Sequence, residues 1–360
     1  MRSPSTRTAT RCAARPVPSI TNALRINVVC ASMGSASATA AAMARAILEA
    51  IIPWLDLCAN CLNPNSTIVQ PEPLLQWSDP IKEFLGFVGL FLGAGAIGFR
   101  YFALRGWRIE TDREFCDSAT RRAAVLGLLG VCVSLVLLAI GLPALAARRH
   151  LTVGALLTSD AASMMQAGFL LLAALGYLLG AMRVRAGWPL AAVGVVAGAL
   201  RLAFLGQWSR LVNPVHSLAA GLWIGTLFVL VVAGLGALLR HEPTRHRRGA
   251  IAADMVNGFS PLALSMGGIV VLFGLITAWR HLHVLSNLWS TPYGIALIVK
   301  LIFAAMVFGF GAWNWRQQRP SLGSEQAADS IRRSSVAELA IATLVLVATA
   351  IVVSLPAPKG

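Results

Sequence analysis

Acidic side chains are scarce in this 360-residue chain: 15 Asp and Glu stand against 30 Lys and Arg, and charged residues make up only 12%. A soluble domain carries about twice that charge, so water is excluded as the main solvent. Cysteine is sparse too. Cys12, Cys30, Cys58, Cys61, Cys116 and Cys132 are too few and too scattered for a disulfide framework, and only Cys58-Ala59-Asn60-Cys61 has a chemically suggestive spacing. The chain also lacks a glycine-rich phosphate loop, an HExxH and a GxSxG. Those absences give no sign of nucleotide-driven transport and point away from an enzyme.

What the chain has in abundance is apolar length. It is 57% hydrophobic, with a mean hydropathy of +0.70. Runs of about 20 apolar residues, the length that crosses a ~30 Å hydrocarbon core as a helix, recur at 84–104, 123–145, 163–182, 188–206, 212–239, 261–279, 292–314 and 336–355. The fold class expected is therefore all-α integral membrane, a transmembrane bundle of about eight helices in contact with lipid. Recurrent small residues, Gly176/Gly180, Gly194/Gly198 and Ser217/Gly221/Gly225, let helix backbones approach closely. The net charge of +15 would suit nucleic acid only if the basic residues shared a face, whereas they sit in the short gaps between spans. No nucleic-acid partner is expected.

Ahead of the spans, residues 1–48 contain no Asp or Glu and are rich in Arg, Ser, Thr and Ala. This is the composition of a targeting segment, and a start codon assigned upstream of Met33 or Met43 would look the same. Residues 49–83 form a Pro-rich segment, 84–206 the first four helices and 207–358 the last four. Alternate loops differ sharply in charge. Arg105, Arg108, Arg113, Arg121, Arg122, Arg183, Arg185, Arg240, Arg245, Arg247, Arg248, Arg316, Arg319, Arg332 and Arg333 fall in the odd loops, against Arg148, Arg149, Arg210 and Arg280 in the even ones. The basic side is cytoplasmic by the positive-inside rule, which puts both termini and the 49–83 segment outside.

On that map His150, His281 and His283 fall in outward loops, His216 lies one turn inside the outward end of span five, and Met164 and Met165 stand at the outward end of span three. Imidazole and thioether are ligand types that suit copper, with Met and Cys favouring Cu(I). A loop histidine is as a rule an ordinary interfacial residue, and paired methionines near a helix end are often core filler. His241 and His246, among cytoplasmic arginines, read as solvated surface. His216 differs, because an ionisable group within a span is costly and faces the bundle interior or a water-filled cavity. It is the central candidate ligand, with His281, His283, Met164 and Met165 as helpers. Binding needs the neutral imidazole, so affinity should weaken as pH falls through about 6.5. Cys58 and Cys61 would bind Cu(I) or form a disulfide on the outer side. Lys300 lies eight residues into its helix, ~12 Å below Pro292, too deep to snorkel easily. Tyr293, seven residues earlier on the same face, extends a polar track from the outside down to it.

Four ordered segments carry a family resemblance. Asn213-Pro214-Val215-His216-Ser217, continuing through Trp223 and Gly225, resembles the signature helix of the CopD family of copper-resistance and copper-uptake proteins. Phe259-Ser260-Pro261 resembles its approach to the next span, with Asn257 and Gly258 in place of the usual basic residues. Thr291-Pro292-Tyr293-Gly294, with Lys300-Leu301 and then Asn314, resembles a third helix, and Arg333-Ser334-Ser335-Val336-Ala337-Glu338 the approach to the last. The resemblance covers about residues 210–358. It implies an eight-helix protein that moves or handles copper ions at the bacterial inner membrane, often with a periplasmic CopC partner. Strand-like alternation is absent from 1–83, so such a partner would be a separate chain. Two rival readings stay open. One is a membrane redox protein of the HemJ type holding haem b, although a bis-histidine site is hard to build with one intramembrane histidine. The other is a non-catalytic membrane subunit.

Overall fold

The computed structural model describes residues 76–104, 113–240, 247–282, 284–318 and 327–356. The chain divides into two units, Met1–Pro64 and Asn65–Gly360, and every described residue belongs to the second. Cys58, Cys61, His241, His246 and His283 lie outside the described residues.

Every regular element among them is helical. The helices are α1 (Ser78–Gly98, prolonged by a π turn Phe99–Ala103), α2 (Arg113–Arg148), the short α3 (Val153–Ser159), α4 (Ala161–Ala181), α5 (Gly187–Ala199), α6 (Arg201–Phe204), α7 (Val212–Leu238), α8 (Arg248–Leu282), the short α9 (Asn287–Ser290), α10 (Pro292–Gln318) and α11 (Ala327–Ser354). Seven of these helices are long and apolar enough to cross a membrane. The eighth span, expected over 188–206, is made in two pieces. Backbone torsions of φ −95° and ψ 14° at Leu200 end α5, and Arg201 donates from Nη1 to the carbonyl of Gly198 at 3.2 Å. An arginine inside an apolar run thus satisfies a carbonyl released by a helix break. α8 is longer than expected, because the helix runs through Pro261 instead of starting there. Seryl side chains bond helical carbonyls around the proline, Ser260 to Val256 and Ser265 to Pro261, both at 2.8 Å.

Small residues set the packing, as their spacing predicts. A side chain at Gly176 would overlap the backbone of Gly187 and Ala191, and one at Gly194 would overlap Ala173. This zips α4 and α5 into a tight hairpin. Tyr177 is fully buried in the same layer, donating its hydroxyl to the carbonyl of Gly93 at 2.5 Å with Trp188 edge-on at 6.0 Å. α7, the most enclosed of the seven long helices, crosses α1 where Gly225 abuts the backbone of Phe91 and Gly95. Two π segments, Gly221–Gly225 and Leu230–Leu235, interrupt α7. Such bulges turn the face presented by the residues beyond them and are frequent at functional sites.

Candidate functional site: a polar cleft at one end of the bundle

Three local features bring polar groups to the same end. Pro214 sits in the first turn of α7, where a missing N–H is harmless. The start of α10 is built by Thr291, whose hydroxyl accepts from the Gly294 N–H at 3.1 Å and donates to the carbonyl of Asn287 at 2.6 Å, with Pro292 as first helical residue. A side chain at Gly294 would overlap the carbonyls of Asn287 and Leu288, so glycine is what lets α9 fold down on α10. Across the α7–α8 contact, Thr277 donates to Asn213 Oδ1 at 2.9 Å and Arg280 to the Ser209 carbonyl at 2.7 Å, which fixes the register of the two helices.

Between α7, α8, α10 and α11 these elements leave a cleft of about 390 Å³. Asn213, His216 and Ser217 line it from α7, Gly274, Thr277 and His281 from α8, and Tyr293, Leu297 and Lys300 from one face of α10. Thr349 and Val352 close it from α11. His216 places Nδ1 2.9 Å from the Val270 carbonyl. A carbonyl only accepts, so Nδ1 is assigned the proton, and in the neutral ring Nε2 keeps the lone pair with which an imidazole can hold a metal. Gly274 makes the room: a Cβ there would stand 3.0 Å from the imidazole. His281 is held the same way, Nδ1 to the Thr277 carbonyl at 2.8 Å, with its ring stacked on Tyr293 at 6.0 Å and 17°.

The two histidines occupy different levels. His216 lies opposite Val270 and Gly274, whereas His281 is seven residues further along α8, ~10 Å nearer the open end. They do not face one another at one depth, so this pair gives the bis-histidine haem arrangement no support. Lys300 is two turns below Tyr293 on α10, on the cleft wall, within electrostatic reach of His216. Among the described residues no carboxylate lines the cleft, and no three His, Cys, Asp or Glu side chains come together as a ligand set. About two turns further along their helices than His216 and Lys300, and outside the cleft lining, the Trp223 and Phe308 rings meet at 4.6 Å beside Gly267.

Met164 and Met165 do not line it. They stand near the start of α4, which packs on α2 and α5, and Met164 is exposed. At the other end of α10, Asn314 hydrogen-bonds the buried Glu338 of α11, whose carboxylate packs on Gly311. Gly274, Thr277 and Thr349 were not singled out by the sequence. Thr277 and Thr349 carried a signal nonetheless, as hydroxyls within otherwise apolar stretches, and Gly274 carried none.

The family model described as copper resistance protein D, CopD, matches residues 253–352, a stretch that includes His281, Tyr293, Lys300 and Glu338. A curated relative, "Copper transport protein CutJ" of Bacillus subtilis (strain 168), is 30% identical over 148 residues, which is 41% of this chain and 25% of the relative. The match thus spans about a quarter of that relative's length. No solved structure matches the chain.

Proposed function

We propose that this chain carries copper ions across a membrane, with His216 as the central ligand in the cleft and His281 as the ligand met first from the open end. The observation that carries this reading is the pair of imidazoles at successive depths, each locked by a carbonyl at Nδ1 with Nε2 left as the donor atom. A carbonyl bonded to the other ring nitrogen in this way orients the imidazoles that hold metals. A pathway needs sites that bind well enough to load and weakly enough to release. Single imidazoles on a stepped wall meet that need better than a closed cage. The copper-resistance family match and the copper-transport relative agree in cargo.

Under this reading the cleft opens outward and a separate CopC-like periplasmic protein would deliver or receive the ion, while His283, Cys58 and Cys61 stay further ligand candidates on their sequence alone. Lys300 would stand beside the path, where an ammonium makes residence of a cation at His216 brief. The site requires no bond-making chemistry.

The test is copper binding by the purified chain in detergent, paired with copper accumulation in cells with and without the gene. His216→Ala should lose the tighter component of binding, by tenfold or more, and abolish gene-dependent accumulation or export. A His216→Ala protein that binds and moves copper like the parent would remove the histidine from the pathway. A Soret band in the pure protein would redirect the reading to haem.

A further inference from the structure

At the opposite end of the bundle from the His216 cleft, a groove of about 660 Å³ runs between α2 and the last turns of α7. Four guanidinium groups border it: Arg121 and Arg122 from α2, Arg183 from the turn after α4, and Arg240 directly after α7. Its inner wall is apolar, with Val125 and Leu126 one turn along α2 from the arginines and Val232 and Ala233 about two turns from Arg240. Val125 and Val232 are each 44% exposed.

Basic residues at this end are expected from the topology alone. Their convergence is not. They come from three places remote in sequence, and a scattered positive side would need no common groove. Among the described residues one ion pair reaches the four cations, from Asp117 to Arg183 at 3.8 Å with both side chains exposed. Arg121, Arg122 and Arg240 make no ion pair with any described residue. Arg183 also holds a left-handed backbone, φ 65°, at the C-terminal turn of α4, where its N–H bonds the Gly180 carbonyl and the next N–H bonds that of Leu179. Glycine is the ordinary occupant of that position, so an arginine there is retained at a conformational cost.

We propose that this groove is a binding site for an anionic phospholipid. The phosphate headgroup lies among Arg121, Arg122, Arg183 and Arg240, and an acyl chain follows Val125, Leu126, Val232 and Ala233. The layering supports the assignment: the arginines stand at the ends of α4 and α7 and the start of the apolar part of α2, the level of headgroups, and the apolar wall begins one turn inside, the level of chains. Guanidinium groups suit phosphate because their planar forks bond two of its oxygens at once. Basic pockets between helices at the positive side of membrane proteins take such headgroups. A free phosphate ion would use the arginines and leave the apolar wall without a role.

Native mass spectrometry of the full chain, released from detergent with added phosphatidylglycerol, cardiolipin, phosphatidylcholine or inorganic phosphate, separates the sources. Phosphatidylglycerol or cardiolipin should be retained as a discrete adduct, with phosphatidylcholine at least tenfold weaker. Each Arg→Gln change among the four should weaken the adduct about fivefold, the loss carried by one basic residue at a membrane surface. Arg121→Lys with Arg122→Lys should restore most of what Arg121→Gln with Arg122→Gln removes, and thermal unfolding establishes that each variant is folded. Arg148→Gln with Arg210→Gln, at the other end of the bundle, should change nothing. Equal retention of phosphatidylcholine, competition by millimolar inorganic phosphate, or an adduct indifferent to the four substitutions would overturn the proposal. So would a second copy of the chain occupying the groove, seen as a dimer that survives removal of lipid.

Discussion

The His216 imidazole is the residue on which the cleft turns, and its orientation depends on a neighbour with no side chain. Gly274 lets the ring lie flat on α8 and reach the Val270 carbonyl. Gly274→Val would place methyl groups where the ring now stands, breaking the Nδ1 bond while leaving the histidine in the sequence. If His216 holds copper as proposed, affinity is expected to fall roughly tenfold or more, the usual loss when the partner that orients a ligand imidazole is removed, with little change in unfolding temperature because the cleft side of α8 is open. Binding isotherms of Gly274→Val beside His216→Ala check this, and parental affinity in the former would show that ring orientation is unimportant. A second residue-scale feature lies at the N-terminus of α4. Asp160 accepts from the Ser163 N–H at 3.0 Å and from its hydroxyl, and from Arg149 Nη1 at 2.9 Å. The Ser163 hydroxyl first, and the Arg149 guanidinium second, hold the Asp160 carboxyl below the usual carboxylate range. A carboxylate lowered by folding stabilises above its unfolded pKa and loses that contribution as pH falls through the lower folded value. Asp160→Ala is therefore expected to cost about 1 kcal/mol at neutral pH, as loss of an N-cap does, with the difference from the parent shrinking below about pH 4. Unfolding temperatures of both proteins across that range test the sign.

Among the elements, α7 is decisive because it is the most enclosed long helix and carries His216 at one end and Arg240 just beyond the other. Its crossing with α1 tolerates no side chain at Gly225 or Gly95, since each would overlap the backbone of the other helix. Gly225→Leu should therefore destabilise the bundle by about 1–3 kcal/mol or more, the cost of overpacking. Gly141→Ala on α2, where nothing lies within 4 Å, should be nearly silent. Thermal unfolding in one detergent compares them, and equal stability of Gly225→Leu with the parent would mean that the crossing is looser than its backbone distances state. The same crossing sets the depth of Trp223, two residues before Gly225, and so of its ring contact with Phe308 of α10.

For the whole molecule the open question of topology reduces to α5 and α6. Among the described residues seven helices are long enough to cross alone, and the pair Gly187–Ala199 and Arg201–Phe204 runs back along α4 as a broken eighth. Gly187 begins beside Gly180, Gly198 reaches Phe169, and the Phe204 ring lies 5.9 Å from that of Phe169. If this pair completes a crossing, three crossings separate Arg149 from Arg248, and reporter fusions after those two residues should report opposite sides. Reports from the same side would make α5 and α6 a re-entrant pair and reverse the sidedness assigned to every later loop.

Composition and periodicity were enough to establish that the bundle is helical and membrane-embedded, because apolar length and small-residue spacing are local properties that each span carries by itself. The intramembrane histidine and lysine were legible for the same reason, since an ionisable group in an apolar run is conspicuous wherever its helix packs. Which of these groups share a cleft was not legible. Met164 and His281 had equal claims as helpers by membrane depth, yet depth leaves rotation about the bundle free, and only the packing of α4 on α2 and α5 separates Met164 from the wall that His281 joins. Gly274 and the break at Leu200 were silent for a related reason: a missing side chain acquires meaning only from the ring beside it, and a helix break only from the carbonyl it frees. The tertiary structure decided those relations because they are fixed by which faces meet.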